Sequence, residues 1–207
     1  YRFQYLEHFP FLSLALEDVV LRDPCFSDHG RELLRIKEMN AVFRPWKMLR
    51  REFELKSVTL DTARVQLYRT EDGYFNAAFL EEDSLAALSR RDSTASFSLD
   101  KIKLKNIFFD FQDALRGKHF RFQIRHSDIA LSSSESGIRM KLRGNWFFHG
   151  LYFKVENGPY FRNQECRLAL NARWGGPQGG VRLAPSLAVF GQDSLQLEGT
   201  LEFGDTS

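Results

Sequence analysis

Cysteine is scarce in this sequence: Cys25 and Cys166 are the only two among 207 residues. They lie far apart and not in C-x-x-C spacing, so they read as two buried thiols, with one disulfide as the alternative, and they do not fix a compartment. Long hydrophobic runs are also missing. No stretch approaches eighteen uninterrupted apolar residues, so no segment of the sequence spans a membrane as a helix. Charge of one sign is not in excess. The formal net charge of +2 is too small to argue for nucleic acid. N-x-S/T sequons do not occur, which agrees with a bacterial source. The sequence begins at Tyr1, not Met, and Y-R-F-Q-Y-L-E has no apolar core or cleavage site. We expect a piece of a longer protein, with any signal or anchor upstream.

Catalytic patterns are missing too. The five histidines, His8, His29, His119, His126 and His149, form neither H-x-H nor H-E-x-x-H. Glu81, Glu82 and Asp83 are consecutive and read as a solvated helix face. There is no G-x-S-x-G elbow. Gly175, Gly176, Gly179 and Gly180 do not lead a strand into a helix, so they mark a turn and not a phosphate loop. The expectation is a protein that is not an enzyme and uses no cofactor or metal.

What the sequence does have is alternation. Hydrophobic residues make up 43% and charged residues 27%, a globular composition, and the 20 Phe far outnumber the 6 Tyr and 3 Trp. That bias favours strands. In the stretch from Phe97 to Leu131, Phe97, Leu99, Ile102, Leu104, Ile107 and Phe109 alternate with polar neighbours, with one slip of phase at Asp100-Lys101. After a break at 113–118, Phe120, Phe122 and Ile124 alternate with Arg121, Gln123 and Arg125. Period two gives each strand one apolar and one wet face.

Read in order, strands are expected over 9–21 and 33–43, and a short helix over 45–51 opened by Pro45. A long strand follows over 53–69 with a bulge or bend near Asp61 to Arg64. Residues 79–88 have helical spacing, and 22–31 is a polar loop. Beyond the central pair come two strands over 138–155 joined near Gly144 or Gly150. Strands over 164–174, 181–183, 187–190 and 195–203 complete the count, with a turn over 175–180. Nine or ten strands with short connections make an antiparallel meander in a single domain, 1–207. Two basic spots stand out. Lys47, Arg50 and Arg51 suit anionic head groups, although an ordinary solvated helix face accounts for them better. Lys101, Lys103 and Lys105 lie on the wet side of the central strand, where a Lys row discourages edge aggregation.

The order F-P-F-L-S-L-A-L-E-D-V-V-L-R-D, L-L-R-I-K-E-M-N-A-V-F, W-K-M-L-R-R-E, then F-E-L-K-S-V-T-L-D-T-A-R-V-Q-L-Y resembles the N-terminal part of the AsmA family of bacterial envelope proteins. I-K-L-K-N-I-F-F-D-F resembles that family's strand with a Lys-Asn step. C-R-L-A-L-N-A-R-W and V-R-L-A-P-S-L-A-V-F are similar to its later strands. The resemblance covers most of the chain and rests on strand and turn patterns. It implies a mainly β fold: a strongly twisted, curved antiparallel sheet, groove- or taco-shaped, with one or two short helices. It implies no catalytic residues, a kinship with chorein-type bridge-like lipid transfer proteins, and a place on the periplasmic face of the inner membrane. It also implies a role in phospholipid movement and outer-membrane assembly. Family members usually begin with a transmembrane helix, which this sequence does not contain.

One-sided strands in this number leave more apolar sheet than two short helices can cover. A folded-over sandwich would cover it with protein, and a groove would cover it with acyl chains. The groove-lining candidates are Leu12, Leu14, Leu16, Leu55, Phe97, Leu99, Ile102, Leu104, Phe122, Ile124, Leu168 and Leu170. Core packing would account for each of them taken singly. The expected partners are a phospholipid or other acyl lipid, a membrane reached through an upstream helix, and envelope assembly proteins. The rival readings are an assembly scaffold closed by its own sheet and, behind it, a carbohydrate-active sandwich. The strand segments hold no Glu-x-Asp pairs for the last.

Overall fold

The computed structural model describes residues 2–4, 12–48, 54–80, 98–134, 137–174 and 180–202. Strands hold 75% of them, in one open, curved, mixed sheet with two short helices and no closed barrel. Ten strands follow one another in sequence order: β1 (Arg2–Gln4), β2 (Leu12–Leu21), β3 (Leu34–Phe43), β4 (Glu54–Arg69), β5 (Ser98–Asp113), β6 (Lys118–Ser134), β7 (Gly137–Tyr152), β8 (Phe161–Trp174), β9 (Gly180–Phe190) and β10 (Asp193–Glu202). The helices α1 (Phe26–His29) and α2 (Pro45–Met48) sit in the β2–β3 and β3–β4 connections. Every pair of elements in substantial contact is a pair of neighbouring strands. Among the described residues, then, the sheet is a single layer.

The mainly β, curved sheet is the one expected, but one seam departs from a pure meander. β4 and β5 run parallel, Glu54 beside Ser98 through Arg69 beside Asp113. Parallel neighbours need a crossover of a dozen residues or more, and 70–97 supplies it. Arg44 ties the start of the seam, bonding Glu54 and, at 2.8 Å, Asp100. At the other end β3 stops short of β4, and the fully buried Asn76 takes its place. Its Nδ2 donates to Gln66 O at 2.9 Å, and its Oδ1 accepts from Tyr68 N–H at 2.9 Å.

Three other expectations change. Residues 138–155 do not form two strands: Gly144 and Gly150 lie inside β7. Gly144 is not a turn residue. It sits across from Ser127, whose Oγ would stand 1.9 Å from any added Cβ. Residues 181–190 form one strand, with Pro185 at a bulge where its missing N–H costs no ladder bond. Ser186 Oγ fills the gap, accepting from Asn171 N–H and donating to Ala184 O. The 22–31 segment contains a single turn of helix, α1, closed by Gly30 in the left-handed conformation. The expected helix over 79–88 and the turn over 175–180 fall mostly outside the described residues. Cys25 and Cys166 are both free thiols.

The strands bend at shared positions. Asp18, Thr62 and Asn106 have φ of 51°, 55° and 53°, values rare for residues other than glycine. All three lie at the same level of the ladder. The pairings of β2–β3, β3–β4 and β4–β5 each skip one position there, opposite Lys37 on β3, and β6 skips Arg125. The result is a crease across five strands. On each strand the extra residue shifts the alternation by one, so Met39, Leu60 and Leu104 before the crease pack on the same side as Ile36, Ala63 and Ile107 beyond it. Of the bulge or bend expected near Asp61 to Arg64, the structure has an irregular residue at Thr62, skipped in the ladder together with Lys37 and Asn106, while the register shift of β4 against β3 lies at Lys56. The central strand slips twice, at Asp100 and again at Asn106, where one slip was expected.

Candidate functional site

The crease keeps one face apolar across the whole width of the sheet. One ladder row runs Leu16, Met39, Leu60, Leu104, Ser127, Gly144, Leu168, Ala188 and Leu195, one residue from each of β2 to β10. The row beside it runs Leu14, Ala41, Val58, Ile102, Ile129, Leu142 and Leu170. A third begins Leu12, Phe43, Leu55 and Leu99. Beyond the crease the rows continue through Val19, Ile36, Ala63, Ile107, Ile124, Trp146, Cys166 and Phe190, and then through Leu21, Leu34, Val65, Phe109, Phe122 and Phe148.

Eleven of the twelve candidates therefore lie on one face, in five adjacent rows. Phe97 lies outside the described residues. The face is wider than the candidates suggested. Its most buried part is Ile36, Ala63, Ile107 and Ile124, joined by Trp146, Phe148 and Cys166. Aromatic rings carry the packing between strands: Phe109 stacks on Phe122 at 4.7 Å, Phe122 on Trp146 at 5.1 Å and Phe161 on Phe190 at 4.8 Å. Ile36, Ala63 and Ile107 were not among the candidates; the slips at Lys37, Thr62 and Asn106 bring them to the same side as Met39, Leu60 and Leu104, three residues away on their strands, where unbroken alternation would not put them. The positive-φ residues themselves, two of them Asp and Asn, are the signal that could have found them.

The opposite face is wet. Lys101 pairs with Asp128 at 3.0 Å, and Lys105 reaches Asp61 at 3.9 Å. β5 is an interior strand, so this Lys row does not guard an edge as expected; it neutralises neighbouring carboxylates. Lys101 and then His126 hold the Asp128 carboxyl below its usual range. Arg125 bonds Glu165 at 2.7 Å and lies over the Phe147 ring. The side chain of Lys47, and Arg50 and Arg51, lie outside the described residues.

One cluster brings catalytic residue types together. Asp23, Cys25, His29, Tyr68 and Tyr74 meet beneath α1. His29 Nδ1 accepts the Arg31 N–H at 3.0 Å, so Nε2 carries the proton and donates to Asp23 Oδ1 at 3.1 Å. Both ring nitrogens are committed, and His29 has no lone pair with which to activate Cys25. Burial, with Cys25 and Asp23 alongside, pushes the Tyr74 phenol far above its ordinary range. The His29 ring packs edge-on against Tyr68 at 5.0 Å, so the cluster is a packing contact between α1 and β4. Among the described residues, no group of three or more His, Cys, Asp or Glu is placed to hold a metal ion. Among them, too, no helix is long and apolar enough to cross a membrane. No protein-family model matches the chain, and no curated protein matches it.

Proposed function

We propose that the apolar face is the wall of a lipid groove, and that the protein shields acyl chains while phospholipid moves between the membranes of a bacterial envelope. One observation carries the reading: ladder rows of Leu, Ile, Val, Met and aromatic side chains cross β2 to β10, with no second layer over them among the described residues. The strand pattern's resemblance to the AsmA family supports it, and with it a non-enzymatic role at the periplasmic face of the inner membrane. So does the energetics. Burying about 16 methylenes at ~0.8 kcal/mol each gives ~13 kcal/mol gross, which leaving a bilayer very largely cancels. A conduit needs that balance, because it must release what it carries.

Native mass spectrometry after gentle purification should find co-purifying phospholipid, and the protein should speed phospholipid exchange between vesicles. Leu104→Glu, in the middle of the face, and Leu14→Glu, nearer its β2 margin, should each cut that exchange at least about tenfold while circular dichroism stays that of a folded sheet. A lipid-free protein, with exchange unchanged in both variants, would overturn the reading and leave the face to an envelope assembly partner.

A further inference from the structure

The end of the sheet where β7 and β9 begin and β8 finishes has a feature that an acyl groove does not require. Arg139, Arg173 and Arg182 occupy one ladder row on three adjacent strands, and all three are exposed. Neighbouring strands are about 4.8 Å apart, and like charges directly across a ladder repel. Among the described residues neither Arg139 nor Arg182 has an ion-pair partner. The surplus is regional. β6 to β9 contain ten Lys and Arg against two Asp and Glu, in a chain of net charge +2. Two exposed arginines in one row, Arg139 and Arg182, that no carboxylate among the described residues neutralises fit an anionic surface.

The other face of the same end is apolar and open. Ile138, Trp174 and Val181 form the row alternating with the arginines, with Ile138 48% and Trp174 65% exposed. On α2, which follows β3 at this same end, Trp46 is 70% exposed. Exposed Trp beside Arg, with aliphatic side chains between, is the chemistry of a lipid–water boundary. A nucleic acid would meet the arginines equally well but gives Ile138 and Val181 nothing to enter. The far end of the sheet also exposes apolar groups, Leu115, Phe153, Val155 and Tyr160. There Lys118 lies across the ladder from Asp113, which Arg69 also approaches at 3.8 Å, so these basic side chains meet a carboxylate.

We propose that the end bearing Arg139, Arg173 and Arg182 seats on an anionic phospholipid bilayer, the arginines on the phosphates and Ile138 and Trp174 in the interfacial layer. Seating extracts no acyl chain, so it stands or falls separately from the groove.

Co-sedimentation with vesicles tests it. The protein should bind vesicles containing phosphatidylglycerol at least about tenfold more tightly than pure phosphatidylcholine vesicles, and added salt should weaken the binding. Arg139→Glu/Arg182→Glu should lower it roughly thirtyfold or more. Arg139→Gln/Arg182→Gln should lower it less, and Phe153→Ser/Val155→Ser at the far end should leave it unchanged. In a Trp46→Phe background, anionic vesicles should shift tryptophan emission to the blue, and adding Trp174→Phe should abolish the shift. Equal binding to both vesicle types would overturn the proposal, as would charge reversal without effect or loss of binding only in the far-end variant. So would duplex DNA that binds as tightly as the anionic vesicles while vesicles leave Trp174 emission unmoved.

Discussion

Gly144 shows how a single residue on one strand serves the neighbouring one. Ser127 is fully buried across from it, and Trp146 Nε1–H donates to Ser127 Oγ at 2.8 Å. A Cβ at position 144 would stand 1.9 Å from that Oγ and 2.5 Å from His126 O. Neither atom can give way without losing a ladder or side-chain bond. Gly144→Ala should therefore cost about 1–3 kcal/mol in urea unfolding, with the indole's ultraviolet dichroism altered. Nothing within a few residues of Gly144 signals this role, because the side chain that needs the space comes from another strand. That is why a turn was the natural reading of the sequence. His149 is a second residue shaped by its surroundings. Burial, and then Arg121, depress its pKa below the ordinary 6.5. The folded protein resists a proton that the unfolded chain accepts, so stability should fall as the pH drops below 6.5 and level off once the folded-state value is passed. His149→Gln should flatten that part of a stability-versus-pH curve, measured by urea midpoints.

At the scale of elements, the crease governs the strands. A β-branched residue in the left-handed region is strained by roughly 1–2 kcal/mol, and Thr62 is such a residue. Its neighbours at the same level, Asp18 and Asn106, have side chains that tolerate this conformation better. Thr62→Asn should raise the urea midpoint by the equivalent of about 0.5–1 kcal/mol, and an unchanged or lowered midpoint would mean that the strain is absorbed elsewhere. The slips themselves were partly legible. The central stretch shows its change of phase, and Asp61 to Arg64 stands out in a strand otherwise too long to be regular. What no single strand can reveal is that the slips of β2 to β6 fall on one line. That alignment belongs to the register, which is set by pairing with neighbours.

For the molecule as a whole, alternation and an abundance of Phe made a one-sided β protein legible, and eleven of the chosen side chains do share a face. The direction of the β4–β5 pair was not legible, since a strand's pattern reads the same whichever way its neighbour runs. That seam has a consequence for how the chain assembles. On either side of it, each strand meets the one just before it in sequence, so both halves can zip up from local turns. Joining β4 to β5 instead closes the 70–97 segment, at roughly 2 kcal/mol more chain entropy than closing the 114–117 turn. The sheet is thus two fast zippers and one slow clasp, and until the clasp shuts, β4 and β5 each offer a bare edge to any other strand in reach.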